Sequence, residues 1–450
     1  MFEKEIIRNT HASRGPANVE TLDIGIDFGT TNSSIARADA SGEIDVVQFP
    51  SADGFTDAYR SLLYLEQVTE GGFKTVKSWS GPEGIEHYLI AANKGRLIQS
   101  LKSFLSSHSL RSTEVFGRRR TLEDLIARIL RDLREKAEQH FGAKVRSAVV
   151  GRPVRFVGAG KDGDNEFAEG RLREAFRIAG FETVQFEMEP VAAAHHYEST
   201  LVKDELILIG DFGGGTSDFS LVRVGPGVLR RGRNPKDLLG NAGVGLAGDA
   251  FDSKIIRHLV SPALGAGTEM RSMDKILPVP GWVYAKLEHW HHLSFLKAKE
   301  TVTMLNSVRG HAFEPDRIEA LIHLIEEDLG YQLHRAVQKV KCNLSEHETA
   351  RFRFIDADVD LDAAVRRADF ETWIQDELAQ IEGCVDSLLA GSGVNPKDVD
   401  RVFLTGGTSF VPAVRKIFSS RFGSGKIQTG NEFTSVARGL ALKARTVNPT

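Results

Sequence analysis

Two stretches of the chain share one pattern, and that repetition limits the folds open to the sequence. Residues 22–36 and 206–220 each begin with an apolar segment typical of a buried strand. Each then reaches Asp-Phe-Gly and continues through hydroxyl residues into a second strand-like segment. The acidic residues at the two turns are Asp27 and Asp211. Two such hairpins in one chain predict two related halves that face each other.

The turn of each hairpin has the composition of a phosphate-binding loop. Residues 213–215 are three glycines, which lack side chains and allow several backbone N–H groups to approach one anion. Thr216 follows them, and Thr30 and Thr31 follow the glycine of the first copy. A single glycine turn is also what an ordinary hairpin needs. The second copy favours a polyphosphate held between the two halves.

Carboxylates close to both turns suggest a divalent metal. Asp27, Asp211 and Asp218 present oxygen ligands of the kind that magnesium prefers, usually through its bound water molecules. The sequence therefore predicts that these three residues hold Mg²⁺ beside the phosphates.

Composition excludes several other classes of protein. The 450 residues, with 41% hydrophobic and 26% charged side chains, suffice for two to four domains with substantial cores. A net charge of −4 gives no reason to expect nucleic acid as a partner. No apolar stretch is long enough to predict a membrane span. Two cysteines provide no disulfide framework, so that a cytoplasmic location is expected.

The order of the predicted elements is typical of an α/β protein. A helix is predicted from Leu122, capped by Thr121 and Asp124 and ended by Gly142. Strands and helices then alternate, at residues 144–150, 167–179, 183–188 and from Glu189 onward. Apolar spacing also predicts a helix over residues 93–105, and residues 241–249 are interpreted as a glycine-rich loop before a helix.

Five segments resemble, in order, the nucleotide-binding motifs of the DnaK-type heat-shock protein family. They are residues 27–31 (Asp-Phe-Gly-Thr-Thr), 189–194 (Glu-Pro-Val-Ala-Ala-Ala), 211–216 (Asp-Phe-Gly-Gly-Gly-Thr), 248–252 (Gly-Asp-Ala-Phe-Asp) and 404–408 (Leu-Thr-Gly-Gly-Thr). The resemblance extends over residues 20–445 and is strongest to the short YegD-like members, which lack a peptide-binding domain. It implies a duplicated actin-like (ribonuclease-H-like) ATPase fold, with two lobes around a nucleotide cleft.

The resemblance also implies how the chain is divided. Residues 1–20 are expected to be a flexible extension, 21–203 an actin-like lobe I, and 204–430 an actin-like lobe II. Lobe II is expected to carry an elaborated helical outer subdomain at about residues 250–345. Residues 431–450 are expected to form a helix that packs back on lobe I, followed by a tail.

The resemblance assigns catalytic roles to four residues. Lys102 matches the family lysine that places a positive charge on the transferring phosphate, although a solvated helix lysine is an equally good interpretation of this residue alone. Glu189 matches an acidic position near the metal. Asp211 and Thr216 are expected beside the attacking water. Such roles suit phosphoryl transfer, which requires positioning and charge compensation more than covalent chemistry.

The residues expected to bind ATP or ADP come from both lobes and include departures from the family pattern. Gln338 stands where the family has glutamate, and Cys342 and Phe410 replace arginines that lie against the purine. We hypothesise that Phe410 stacks on the base, an interaction of about 1–3 kcal/mol in nucleic-acid complexes; the alternative is that it packs on the following helix. The full nucleotide-binding set is Gly29, Thr30, Thr31, Asn32, Gly213, Gly214, Gly215, Gly248, Asp249, Gln338, Lys341, Cys342, Ser345, Gly406, Gly407, Thr408 and Phe410.

The function expected from these residues is Mg²⁺-dependent binding and slow hydrolysis of ATP, with an unidentified protein partner or client. Three alternatives stay open at this point. An actin-type protein would use ATP to form filaments, a small-molecule kinase would pass the phosphate to a metabolite, and a nucleotide sensor would bind ATP with little turnover.

Overall fold

The computed structural model describes residues 21–51, 54–91, 95–198, 200–289, 296–357, 359–428 and 435–447. The predicted N-terminal extension, residues 1–20, lies outside them. The strands are β1 (Thr21–Phe28), β2 (Asn32–Ala38), β3 (Ile44–Val46), β4 (Phe49–Ser51), β5 (Gly54–Thr56), β6 (Tyr59–Arg60), β7 (Leu62–Glu70), β8 (Phe73–Ser80), β9 (Arg96–Gln99), β10 (Ser112–Val115), β11 (Arg118–Thr121), β12 (Lys144–Arg152), β13 (Thr183–Met188), β14 (Glu205–Phe212), β15 (Ser217–Val224), β16 (Leu238–Val244), β17 (Glu269–Ser272), β18 (Lys275–Pro278), β19 (Thr349–Asp356), β20 (Val359–Arg366), β21 (Arg401–Thr405) and β22 (Ile427–Gln428).

Helices cover these strands and make up most of the described residues between 248 and 346. The α-helices are Gly81–Ile90, Leu122–Phe141, Asp164–Ala179, Glu189–Glu198, Pro226–Arg231, Gly248–Ile255, Ser261–Ala263, Trp282–Leu287, Lys299–His311, Pro315–Glu326, Gly330–Glu346, Arg367–Trp373, Gln375–Ser392, Pro412–Phe422 and Ser435–Val447. A π-helical segment, Ile256–Val260, joins two of them, and short 3-10 helices include Leu101–Phe104 and Gly407–Phe410.

Two mixed sheets have the same strand order and the same strand directions. In the first sheet the order is β13-β12-β1-β2-β3, with β6 added on β2. Read in the corresponding direction, the order in the second sheet is β22-β21-β14-β15-β16. Each central strand, β1 or β14, pairs antiparallel with the strand that follows it and parallel with a strand reached by a long crossover. This repeat confirms the predicted α/β class and the duplicated actin-like fold.

Each sheet has its own apolar core. Helix Leu122–Phe141 begins at a capping box formed by Thr121 and Asp124 and ends at Gly142, as predicted. Its buried face packs with helix Asp164–Ala179 over the first sheet. In the second lobe, one continuous apolar cluster connects the sheet with the helices between residues 248 and 346. Burial of these faces stabilises two lobes, which meet at the hairpin turns.

The C-terminal helix, Ser435–Val447, packs tightly on the first sheet. A Cβ atom at Gly25 would lie 2.3 Å from the backbone nitrogen of Ala441. A Cβ atom at Gly439 would lie 1.7 Å from the carbonyl oxygen of Ala192. Only glycine permits such approaches of one backbone to another. The helix therefore joins β1 to the helix that carries Glu189.

Two local predictions were wrong. The predicted helix over residues 93–105 is absent from its described part: Leu97 and Ile98 lie on β9, which pairs antiparallel with β7, and a 3-10 helix follows. The spacing of a short apolar run fits a strand as well as a helix. Here the four residues that pair with β7 form a strand. Gly243, interpreted as part of a loop, lies on β16 and pairs with Asp218 of β15.

Among the residues that the structure describes, no helix has the length and apolar character needed to cross a membrane.

Candidate functional site

A cleft of about 630 Å³ lies between the two lobes, and both hairpin turns contribute to its wall. Asp27 and Asp211 therefore face the same space, as the repeated pattern predicts. Nearly all of the candidate residues share this wall. They are Asp27, Gly29, Thr30, Thr31, Asn32, Lys102, Glu189, Asp211, Gly213, Gly214, Thr216, Asp218, Gly248, Asp249, Gln338, Lys341, Cys342, Gly406, Gly407 and Thr408.

The two turns approach each other closely at their tips. The amide of Gly213 donates a hydrogen bond to the carbonyl oxygen of Thr216 (2.9 Å), which closes the second turn. A Cβ atom at Gly214 would lie only 2.0 Å from Oγ1 of Thr31 on the opposite lobe. The missing side chain thus leaves a cradle of backbone amides and hydroxyls between the lobes, which is the kind of site that binds phosphate.

A buried ion pair lies beneath this cradle. Nζ of Lys102 is 2.8 Å from Oε1 of Glu189, and the two side chains are 8% and 15% exposed. Burial by itself would lower the pKa of Lys102, but the carboxylates of Glu189 and Asp27 hold it above its ordinary value. Lys102 is therefore a fixed cation in the cleft, and its interpretation as a solvated helix lysine was wrong.

The carboxylates of the cleft are held close together in a poorly solvated place. Burial, with the charge of Glu189, raises the pKa of Asp27 to about 8. Burial, with the charge of Asp211, raises the pKa of Asp218 to about 7. Burial also raises the pKa of Asp211, although a 2.7 Å hydrogen bond from Oγ1 of Thr405 opposes this shift. Desolvation and mutual repulsion disfavour the charged form of these carboxylates, and a bound cation would stabilise that form.

These carboxylates suit a magnesium ion that keeps its water. Within the described ranges, no group of three or more His, Cys, Asp and Glu side chains has the arrangement of a direct metal site. Magnesium gives up water reluctantly and is often held by one or two carboxylates together with phosphates. Asp27, Asp211 and Asp218 line one cleft and can supply oxygen ligands there. Binding of the ion through its water stays a prediction.

The opposite end of the cleft is organised by Lys341. Its Nζ lies 2.8 Å from Oδ1 of Asp252 and donates a hydrogen bond to the carbonyl oxygen of Gly248 (3.1 Å). Gln338 also donates a hydrogen bond to Asp252, whose pKa is raised by burial. Cys342 is exposed and lines the cleft next to them. Helix Gly330–Glu346 is thus fastened to helix Gly248–Ile255 where an adenosine group is expected.

Three candidate residues do not line the cleft. Gly215 is open to its surroundings, and Ser345 donates its hydroxyl to the carbonyl oxygen of Lys341 (3.2 Å). Phe410 is 44% exposed, and the guanidinium of Arg415 lies over its ring, 5.4 Å from the centroid. Because Arg415 belongs to the following helix, the position of Phe410 favours the alternative interpretation, in which it packs on that helix. Stacking on the base stays a prediction.

Three residues that belong to the site or support it were not predicted from the sequence. Arg60 and Arg155 bring positive charge to the cleft wall, and Thr405, which does not line that wall, donates a hydrogen bond to Asp211. Thr405 lies in segment 404–408, which resembles a family motif, so that a role for its hydroxyl could have been predicted from the sequence. Arg60 and Arg155 lie outside all repeated patterns, and no local signal identifies them.

Comparison with known proteins agrees with this geometry. A family model described as "Hsp70 protein" matches residues 23–272 and 308–450. The chain is 26% identical over 430 residues to the "Chaperone protein DnaK" of Thermosipho africanus, covering 95% of this chain and 59% of that protein. It is 25% identical over 423 residues to those of Thermosipho melanesiensis and Thermotoga petrophila, covering 94% of this chain and 58% and 59% of those proteins.

The chain therefore spans about three fifths of the length of these relatives. The family match extends over both lobes and includes both hairpin turns. On this evidence the protein belongs to the Hsp70 family.

Proposed function

We propose that this chain binds ATP with Mg²⁺ and hydrolyses it slowly. The observation that carries the proposal is the meeting of two Asp-tipped hairpins, at Asp27 and Asp211, in one cleft with a buried lysine between acidic groups. Family membership and the name of the relatives support a chaperone-like nucleotide-binding domain.

In this proposal the residues of the cleft divide the work of phosphoryl transfer. Thr30, Thr31, Gly213 and Gly214 bind the β- and γ-phosphates, and Lys102 faces the transferring group. Asp211 accepts a hydrogen bond from Thr405, which fixes its orientation, so that its other oxygen can orient a water molecule with Thr216. Magnesium, when bound, neutralises charge on the phosphates. Positioning and charge compensation account for most of the catalysis in reactions of this kind.

Phosphate release by the purified chain with Mg²⁺ and ATP tests the proposal directly. We expect slow turnover that chelation of the metal abolishes. Asp211→Asn should lower the rate at least about 100-fold, since it removes a charge from the reacting centre. Unchanged phosphate release by Asp211→Asn would contradict the assignment, and absence of both binding and hydrolysis in the wild type would overturn the proposed function.

Additional arms of the same experiment address partners and the alternative functions. An unfolded protein added to the assay should raise turnover if the chain serves a client. Sedimentation with and without ATP detects filaments of the actin type, which we do not expect. A metabolite that greatly accelerates ATP consumption would instead indicate a small-molecule kinase.

A further inference from the structure

We propose that Arg60 binds the γ-phosphate and allows the cleft to distinguish ATP from ADP. This inference rests on the proposed function, because it names a further residue of the same site. Arg60 is half-buried and lines both the main cleft and an adjoining small cavity of about 20 Å³. Thr30, Thr31, Asp249 and Arg60 lie together in the wall of that small cavity.

The backbone holds Arg60 next to the first phosphate-binding turn. Strand β6 pairs antiparallel with β2, so that Arg60 lies directly opposite Asn32. The amide of Ser61 donates a hydrogen bond to the carbonyl oxygen of Thr31 (2.9 Å). Nη1 of Arg60 donates to Oδ1 of Asn32 (3.3 Å), which steadies the side chain along the turn. The position of this arginine is therefore tied to the same residues that are expected to hold phosphate.

The neighbouring residue anchors the short strand from the other side. Tyr59 is fully buried, packs edge-on against Phe49 with ring centroids 5.0 Å apart, and donates its hydroxyl to Asp132. A Cβ atom at Gly81 would lie 2.3 Å from the Tyr59 ring, so that glycine makes room for it. Because side chains alternate along a strand, a tyrosine fixed in the core directs Arg60 toward the cleft.

The charges of the cleft leave a role for another cation. Lys102 is already paired with Glu189, and Asp27, Asp211 and Asp218 add further carboxylates nearby. Within the part of the chain that the structure describes, Arg60 forms no ion pair of its own. Besides Arg60, the cations of the cleft wall are Lys102, Arg155 and Lys341, and both lysines are already paired with carboxylates.

The guanidinium group suits this task better than an amine. It is always charged, and its planar fork of N–H donors matches two oxygens of one phosphate. A phosphate that ADP lacks would form these bonds only in the ATP complex. Arg60 thus contributes to ATP affinity and leaves ADP affinity almost unchanged.

The test compares ATP and ADP binding, with Mg²⁺, by isothermal titration calorimetry of the full chain. Arg60→Gln should weaken ATP binding by about 10- to 100-fold, the effect of losing hydrogen bonds to a charged group. ADP binding should change less than about twofold. Arg60→Lys, which retains the charge and loses the fork, should lie between the wild type and Arg60→Gln. Arg146→Gln, which breaks an exposed ion pair with Glu182, serves as the matched control and should bind both nucleotides normally.

Each outcome is decisive. Unchanged ATP affinity in Arg60→Gln would overturn this inference and leave the proposed function standing. An equal loss of ATP and ADP affinity would also overturn it, since Arg60 would then act on the closure of the lobes, for example through Asp249. If the wild type binds neither nucleotide, the proposed function itself fails. Thermal denaturation of each variant checks that Arg60→Gln and Arg60→Lys retain the fold.

Discussion

Lys102 and Glu189 form an ion pair of 2.8 Å that crosses lobe I beneath the phosphate cradle. The lysine belongs to the 3-10 helix Leu101–Phe104, and the glutamate begins helix Glu189–Glu198. Two elements that are distant in the chain are thus held together at the point where charge must be compensated. Replacement of Lys102 should therefore change both the free energy of unfolding and the rate of ATP turnover, and the two effects can be measured separately.

Lys102→Ala should lower ATP turnover at least about 100-fold, because it removes the cation from the transferring phosphate. It should also lower the free energy of unfolding by about 3 kcal/mol, since Glu189 is left buried without a partner. The double variant Lys102→Ala/Glu189→Gln provides the control. It should recover most of the stability and none of the turnover, as measured by denaturant unfolding and phosphate release. Recovery of turnover would contradict a direct role for Lys102.

Binding of Mg²⁺ and ATP should release protons near neutral pH. The pKa of Asp27 is raised to about 8 and that of Asp218 to about 7 from an ordinary 3.8, mainly by burial. Between about pH 4 and 8 the folded chain therefore binds more protons than the unfolded chain, and these groups lower its stability as pH rises. A cation favours their ionised form, so that affinity should increase from about pH 6 to 8.

Calorimetry in two buffers of different ionisation enthalpy measures this release. We expect a buffer-dependent heat near pH 6.5 that shrinks at about pH 9, where both carboxylates are already ionised. Asp218→Asn should remove part of the effect. Identical heats in both buffers at the lower pH would show that these carboxylates do not titrate on binding.

ATP should protect Cys342 from alkylation. Its thiol lines the cleft, and desolvation by the surrounding protein raises its pKa, so that reaction with iodoacetamide should be slow at neutral pH and faster above about pH 9. Cys384 is half-buried, is absent from the cleft wall, and provides an internal control in the same molecule. Mass spectrometry should show that Mg²⁺ and ATP slow the labelling of Cys342 alone. Equal protection of both thiols would indicate a general closing of the protein instead.

Gly439→Ala should destabilise lobe I by about 2 kcal/mol or more, because the added methyl group would meet the carbonyl oxygen of Ala192. Gly170 offers the matched control: it lies within helix Asp164–Ala179, and a Cβ atom there meets nothing within 4 Å. Gly170→Ala should leave stability unchanged or raise it by up to about 1 kcal/mol, since alanine favours helix. Thermal denaturation measures both. Equal stability of the two variants would contradict the close packing of the C-terminal helix.

Phe410→Ala tests the stacking hypothesis against the alternative. The ring is 44% exposed and covered by Arg415, so we expect the dissociation constant of ATP to change less than about twofold. Stacking on the base would instead be worth about 1–3 kcal/mol, or at least a fivefold loss of affinity. A loss of that size would show that the ring turns into the cleft when nucleotide binds.

Local pattern was sufficient for the features that depend on nearby residues. The hairpins at Asp27 and Asp211, the capped helix from Leu122, and the helix that begins at Glu189 are encoded by strand periodicity, glycine turns and capping residues. Their repetition was enough to predict that the two acidic turns share one cleft, which the fold confirms. These elements can be predicted because each of them forms from contacts between residues a few positions apart.

Long-range pairing decided what local pattern could not. Leu97 and Ile98 form a strand because β7 offers them hydrogen-bond partners, although their spacing also fits a helix. Arg60 enters the cleft because β6 pairs with β2 and Tyr59 is buried behind it. The residues of the repeated turns thus identified the site, whereas its supporting cations and the direction of Phe410 depend on contacts between distant segments. Those contacts are set by packing of the whole lobe, which no short stretch of sequence contains.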